Sequence, residues 1–279
     1  MASTSEKHSL KGKTYFITGA SRGIGKAIAL RLAREGARII IAAKSTTEHP
    51  KLGGTIYSAA AEIEAAGGEA LPVACDVRDE AAIIAAITEG VDRFGGIDGV
   101  VNNASAISLT PTEATDAKRF DLMHDINVRG TFLVTRHCIP HLKRSSNPHI
   151  LTLSPPLSMD SRWLGPHIAY TMSKYNMSMM SLGWAAEFRD IGIAANSLWP
   201  ATTIATAAVQ NLLGGDYLMQ RSRKPEIVAE AVYHILSRDA RNCTGNLFID
   251  EHVLAAEGVS DFSSYAVHPG ESLQADLFL

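Results

Sequence analysis

The chain has 279 residues, 46% of them hydrophobic, and a net charge of −3, enough for one α/β domain with a substantial core and no basic face for nucleic acid. Cys75, Cys138 and Cys243 lack metal-ligand spacing and fit a reducing compartment. The polar opening residues lack a secretory apolar core, and no apolar run approaches the ~20 residues of a membrane span, so a cytoplasmic protein with no membrane span is expected.

Taken in order, the first element is the apolar run Tyr15-Phe16-Ile17, which reads as a buried strand. Thr18-Gly19-Ala20-Ser21-Arg22-Gly23-Ile24-Gly25 follows at once, and then a helical pattern places Ile24, Ile28, Leu32 and Ala33 on one face. Strand, glycine-rich turn and helix N-terminus together suit a pyrophosphate: the first-turn N–H groups lack intrahelical partners, and the helix dipole favours negative charge there. The spacing is G-x-x-x-G-x-G, a variant of the dinucleotide fingerprint, and an ordinary strand-to-helix turn is the alternative.

Arg38 to Ala43 reads as the second strand, and Lys44 to Gly54 as a loop too rich in turn residues for a helix. A helix over 56–66 leads to the strand Ala70–Cys75, with Asp76 at its end. The helix Glu80–Phe94 precedes the strand Ile97–Val101, which ends at Asn102-Asn103. A long helix follows over about Lys118–Lys143, then the strand His149–Leu153 and a helix over about Ile168–Phe188. Ile193–Leu198 is a strand, Glu226–Leu236 a helix, and Asn246–Asp250 the last strand. Strands separated by helices of this length imply βαβ units and a parallel sheet covered on both faces. The expected fold class is α/β, a single doubly wound parallel sheet over residues 1–279 with a short C-terminal extension.

Ligands of such sheets bind beyond the carboxyl ends of the strands, which singles out Gly19, Lys44, Asp76, Asn102, Ser154 and Pro200. A basic residue ending the second strand attracts the 2′-phosphate of NADP, where an acidic one would suit NAD. Lys44, backed by Ser45, Thr46 and Thr47 and joined by Arg22, points to NADP rather than NAD, although either cation alone could be a solvated surface charge. Asp76 suits a hydrogen bond to adenine or a cap on the next helix. Tyr170 and Lys174, four apart, share a helix face, and a neighbouring ammonium would lower the tyrosine pKa toward the working range.

With the glycine turn, Asp76, Asn102-Asn103-Ala104, Ile126-Asn127-Val128, Tyr170/Lys174, and Asn196 with Pro200, the chain resembles the short-chain dehydrogenase/reductases over nearly its whole length. The resemblance implies a Rossmann-type NAD(P)-binding domain and hydride transfer between a carbonyl and an alcohol. It implies that Tyr170 exchanges a proton with the substrate oxygen, that Lys174 holds the nicotinamide ribose, and that Asn127 anchors a water of the proton relay. Gly19, Ser21, Arg22, Gly23, Ile24, Gly25, Lys44, Asp76, Asn102, Ala104, Lys174, Pro200, Thr202 and Thr203 would line the cofactor. It also implies a homodimer or homotetramer.

The departures from the family pattern are specific. Leu157 stands thirteen residues before the tyrosine, where the family places its carbonyl-polarising serine, and counting from the strand brings Pro155 to that position. Ser154 or Ser158 would then supply the hydroxyl, Ser154 being the candidate catalytic residue. Asp250-Glu251-His252 replaces Asp-Gly-Gly after the last strand. His137 and His141 have a zinc-type spacing with no third ligand in view, so no metal is expected. Trp163, His167, Trp199, Leu212, Leu213, Tyr217 and Met219 suggest an apolar pocket for a lipid- or steroid-like substrate, and residues 212–223 a mobile lid. The displaced serine motivates the alternative of an NADP-binding redox-sensing or scaffold protein with little turnover.

Overall fold

The computed structural model describes residues 7–279, the side chain of Leu212 excepted, and in it strands and helices alternate as the patterning predicts. The first half runs β1 (Thr14–Thr18), α1 (Gly23–Arg34), β2 (Arg38–Ala43), α2 (Ile56–Ala65), β3 (Glu69–Ala74), α3 (Glu80–Phe94) and β4 (Gly99–Asn102). The second runs α4 (Ala117–Met123), α5 (Thr131–Leu142), β5 (His149–Leu153), α6 (Ser161–Leu164), α7 (Ile168–Glu187) and β6 (Ala194–Trp199). It closes with α8 (Gly215–Gln220), α9 (Glu226–Leu236), β7 (Leu247–Ile249) and α10 (Asp250–Ala256).

The strands form one seven-stranded sheet in the order β3-β2-β1-β4-β5-β6-β7, and every neighbouring pair is parallel. The chain winds outward from β1 to β3, then crosses back to begin β4 on the other side of β1. That reversal opens a crevice at the carboxyl ends of β1 and β4, where an open α/β sheet binds its ligand. β1, β5 and β6 are buried at every position, as strands covered by helices on both faces must be. The two-residue period sorts β1 between the layers: Tyr15 and Ile17 face the core under α1, α2 and α9, and Phe16 faces the core under α3 and α5.

Three features depart from expectation. The long helix over 118–143 is broken by a π-helical turn, His124–Gly130, between α4 and α5. Such wide turns re-aim side chains and gather at functional sites, and this one carries Asn127 to full burial. The last strand is shorter than predicted, and α10 begins at Asp250, a helix the pattern did not suggest. The C-terminal extension folds back over the strand ends: Thr202 pairs with Ala275, and Arg223 with both Ile204 and Ala266. Among the described residues no helix is long and apolar enough to cross a membrane.

Candidate active site

The glycine turn is held by its neighbour across the sheet. Thr18 Oγ1 accepts the backbone N–H groups of Asn103 and Ala104 at 3.0 Å each. The Asn103 amide donates to Thr18 O at 2.9 Å and Gly19 O at 3.2 Å. Gly19 has φ +67°, and a Cβ on it would sit 3.0 Å from the Ala104 Cα. A Cβ on Gly25 would lie 2.5 Å from Asn103 Nδ2 and 2.6 Å from Gly19 O. Gly23 (φ +55°) instead opens toward Thr206. No side chain caps α1, whose first turn also lacks an acidic residue, so its free N–H groups keep the capacity for an anion. This cradle fits a dinucleotide pyrophosphate. Thr18 was legible as the first residue of the turn and Asn103 as part of Asn102-Asn103-Ala104, but the hydrogen bonds by which the two brace it were not foreseen.

At the β2 end, Arg22 Nη2 donates to Ser45 Oγ at 2.8 Å and to Gly54 O at 2.9 Å. The glycine turn and the loop after β2 therefore meet as expected, while the buried Arg22 Nε has no partner. Gly54 was missed as part of this contact: at φ +67°, a Cβ there would lie 2.7 Å from Ser21 O. Lys44 is exposed, and its charge, with the larger effect of Arg78, lowers the pKa of the Asp76 carboxyl. Arg78 chelates Asp76 through Nε at 3.0 and 3.1 Å, and Asp79, not Asp76, caps α3. Asn102 donates to Thr135 Oγ1 at 2.9 Å and keeps a buried, unpartnered Oδ1. It lines a narrow crevice with Thr18, Ala104 and Thr131.

The Tyr170/Lys174 pair lies in the first turns of α7, and both residues are buried. Lys174 Nζ donates to Leu153 O at 2.7 Å and to Ser105 Oγ at 3.4 Å, tying the helix to the β5 end and to the loop that braces the glycine turn. Its ammonium also lies 5.0 Å from the Trp199 ring centroid. Burial pulls the Lys174 pKa down to about 7, against the raising effect of Asp276. Tyr170 moves opposite to expectation: burial, with the Asp276 charge adding to it, raises its pKa. Asn127 is fastened at both ends of its amide. It exchanges hydrogen bonds with Ala106 at 2.8 and 2.9 Å and donates to Ser173 Oγ at 2.9 Å, whose own hydroxyl donates to Tyr170 O.

Ser154 is fully buried, with an Oγ that has no partner. Ser158 Oγ accepts the Asp160 N–H at 3.2 Å, a local loop role. Pro200 is buried at the β6 end, and Ala201 N donates to Asp250 Oδ1 at 2.8 Å. Asp250 thus supplies packing that the altered Asp-Glu-His segment put in question. Thr202 and Thr203 are engaged by residues 274 and 275: Thr203 N donates to Gln274 O at 3.0 Å, and Thr203 Oγ1 meets Ser222 Oγ at 2.8 Å. His137 faces Glu80 and His141 faces Arg144, so that pair does not converge. Of the pocket candidates, Trp163, His167 and Trp199 join Tyr170 around Phe278, which was not foreseen. Leu213 and Tyr217 are exposed, and the Leu212 side chain lies outside the described residues.

A family model described as short chain dehydrogenase matches residues 13–214. Hydroxysteroid dehydrogenase-like protein 2 of Rattus norvegicus is 57% identical over 270 residues, which cover 97% of this chain and 51% of that protein. The chain therefore spans about half the length of this curated relative. A crystal structure of a short chain dehydrogenase from Mycobacterium thermoresistibile superposes with a TM-score of 0.92 at 56% identity, covering 97% of this chain and 96% of that one. A metagenomic short-chain oxidoreductase in complex with NADP superposes with a TM-score of 0.71 at 26% identity, covering 86% and 97% of the two chains.

Proposed function

This chain belongs to the short-chain dehydrogenase family, and we propose that within it the protein is an NADP-dependent oxidoreductase interconverting a carbonyl and an alcohol on an apolar substrate. The observation that carries the reading is the buried Tyr170/Lys174 pair on α7, tied through Lys174 and Ser105 to the loop that braces the glycine turn. When bound, the nicotinamide would supply or receive the hydride. The uncapped N-terminus of α1 and the bare faces of Gly19 and Gly23 would hold the pyrophosphate, and Arg22 with Lys44 the 2′-phosphate. The NADP complex of the metagenomic relative supports that choice of cofactor.

Tyr170, kept protonated by burial, would donate its proton to the substrate oxygen during reduction. Lys174 would then stabilise the phenolate left behind. Asn127 would work through the helix, since its amide fixes Ser173 and thereby the carbonyl of Tyr170. Trp163, Trp199 and Phe278 favour an apolar substrate over a charged one. Tyr170→Phe is expected to lower NADPH-dependent turnover by roughly 10²–10⁴-fold with NADPH binding retained. Undiminished turnover in that variant would refute the assignment.

The alternative, a dinucleotide-binding protein with little turnover, is favoured by one observation. Pro155 stands where the polarising serine is expected, and the hydroxyl of the neighbouring Ser154 is wholly buried. Loss of an oxyanion donor costs roughly 10²–10³ in rate, so a slow enzyme is expected. The reading also carries a homodimer or homotetramer, for which Phe120, Phe132, Met172 and Met179 on α4, α5 and α7 offer exposed apolar surface. Mass in solution by light scattering tests that assembly; a monomer at micromolar concentration would rule it out.

A further inference from the structure

Phe278 is the one non-glycine residue with positive φ, 74°, among the described residues. A bulky side chain adopts that conformation only where its surroundings impose it. Its ring is 3% exposed and lies 5.3–6.2 Å, centroid to centroid, from the rings of Trp163, His167, Tyr170, Tyr175 and Trp199. The tilted and edge-on geometries are those that aromatic quadrupoles favour. One polar group in this box goes unserved: the Trp163 indole N–H is buried without an acceptor, and a benzyl group cannot satisfy it.

The segment that carries Phe278 is fastened by separate, mostly main-chain links. Asp276 N donates to Ala201 O at 3.1 Å, and Trp199 Nε1 donates to Leu277 O at 2.8 Å. Gln274 N donates to Arg221 O at 2.9 Å. Residues 274 and 275 are exposed. Asp276 and Leu277 are half-buried, Leu277 packs on the same aromatic residues, and Phe278 is the one fully buried anchor of the segment.

On the basis of the oxidoreductase reading, we propose that the aromatic box is the subsite for a flat, apolar ring bearing a hydrogen-bond acceptor, and that Phe278 occupies it until such a ring displaces it. Tyr170 forms one wall of the box, so a ring seated there brings its attached carbonyl or alcohol beside the phenol. An oxygen elsewhere on the ligand supplies the acceptor that the Trp163 N–H lacks. Phe278 is therefore a specificity-determining residue: its occupancy taxes every ligand by the fraction of molecules in which the box is free.

The test is a titration of the protein with 2-acetylnaphthalene, without nicotinamide cofactor, followed by quenching of tryptophan emission. The wild-type chain is compared with Phe278→Ala and Phe278→Leu. Phe278→Ala is expected to bind at least about tenfold more tightly than wild type, with Phe278→Leu between them. Equal or weaker binding by a folded Phe278→Ala overturns the proposal. Should that variant fail to fold, Phe278→Leu decides by the same comparison with wild type. Because the titration needs no turnover, tighter binding without reduction of the ketone on adding NADPH would count against the oxidoreductase reading and leave the subsite standing.

Discussion

On the proposed reading, Arg22 would discriminate between the two nucleotides. As the residue that opens α1, it reaches across to Ser45 and Gly54, where a 2′-phosphate would lie, and its buried Nε lacks a partner. A charge-assisted hydrogen bond contributes about 1.5–3 kcal/mol. Arg22→Ala is therefore expected to weaken NADPH binding by roughly 10–100-fold and NADH binding far less. Fluorescence titration with both nucleotides checks this, and equal losses would remove Arg22 from the 2′-phosphate site. The Arg22–Ser45 meeting was legible in the sequence because both flank strand ends whose order the βαβ pattern dictates. The Asp76–Arg78 chelate was not, because a carboxylate two residues before an arginine has several partners open to it until the backbone is fixed. The upward pKa shift of Tyr170 was hidden for a related reason: spacing places Lys174 on the same helix face, whereas burial and the Asp276 charge, which spacing does not report, set the shift.

Among the elements, the seam between β5 and the chain leaving α9 depends on a neutral histidine. His149 is buried at the start of β5, and its Nε2–H donates to Arg238 O at 3.0 Å, while Nδ1 has no partner. Protonation would put a second N–H where nothing accepts it, and burial lowers the His149 pKa from 6.5 to about 4. The unfolded chain thus takes up the proton first as pH falls. The stability held above about 6.5 is lost progressively down to about 4, by up to roughly 3 kcal/mol. His149→Gln, which can still donate to Arg238 O, is expected to flatten chemical-denaturation stability between pH 6.5 and 4.5. An unchanged pH profile would mean that the seam does not titrate. The strands were readable from their unbroken apolar runs, and the long helices from their 3.6-residue period. The π-helical turn escaped because a single wide turn alters the period for too few residues to register, although it is what buries Asn127 beside α7.

For the molecule as a whole, the doubly wound order brings residues from β1, β4, β5 and β6 to one edge, and that convergence is what a linear pattern of strands and helices implies. The covering of the β6 end of this edge by residues 274–278 was not implied. Phe278 enters the aromatic box through contacts with residues far away in the chain, and no periodicity or turn signal marks it beforehand. The glycine turn, the strand ends and the Tyr170/Lys174 pair were thus open to sequence reasoning, and the packing of Phe278 against Tyr170 was not. NADPH oxidation by the wild-type chain and by Tyr170→Phe, measured against a panel of aryl ketones, aldehydes and oxosteroids, tests the account most directly. Slow turnover of at least one apolar ketone is expected of the wild type, abolished in the variant, which still binds NADPH. Turnover that survives in Tyr170→Phe, or tight NADPH binding with no turnover of any panel member, would contradict it.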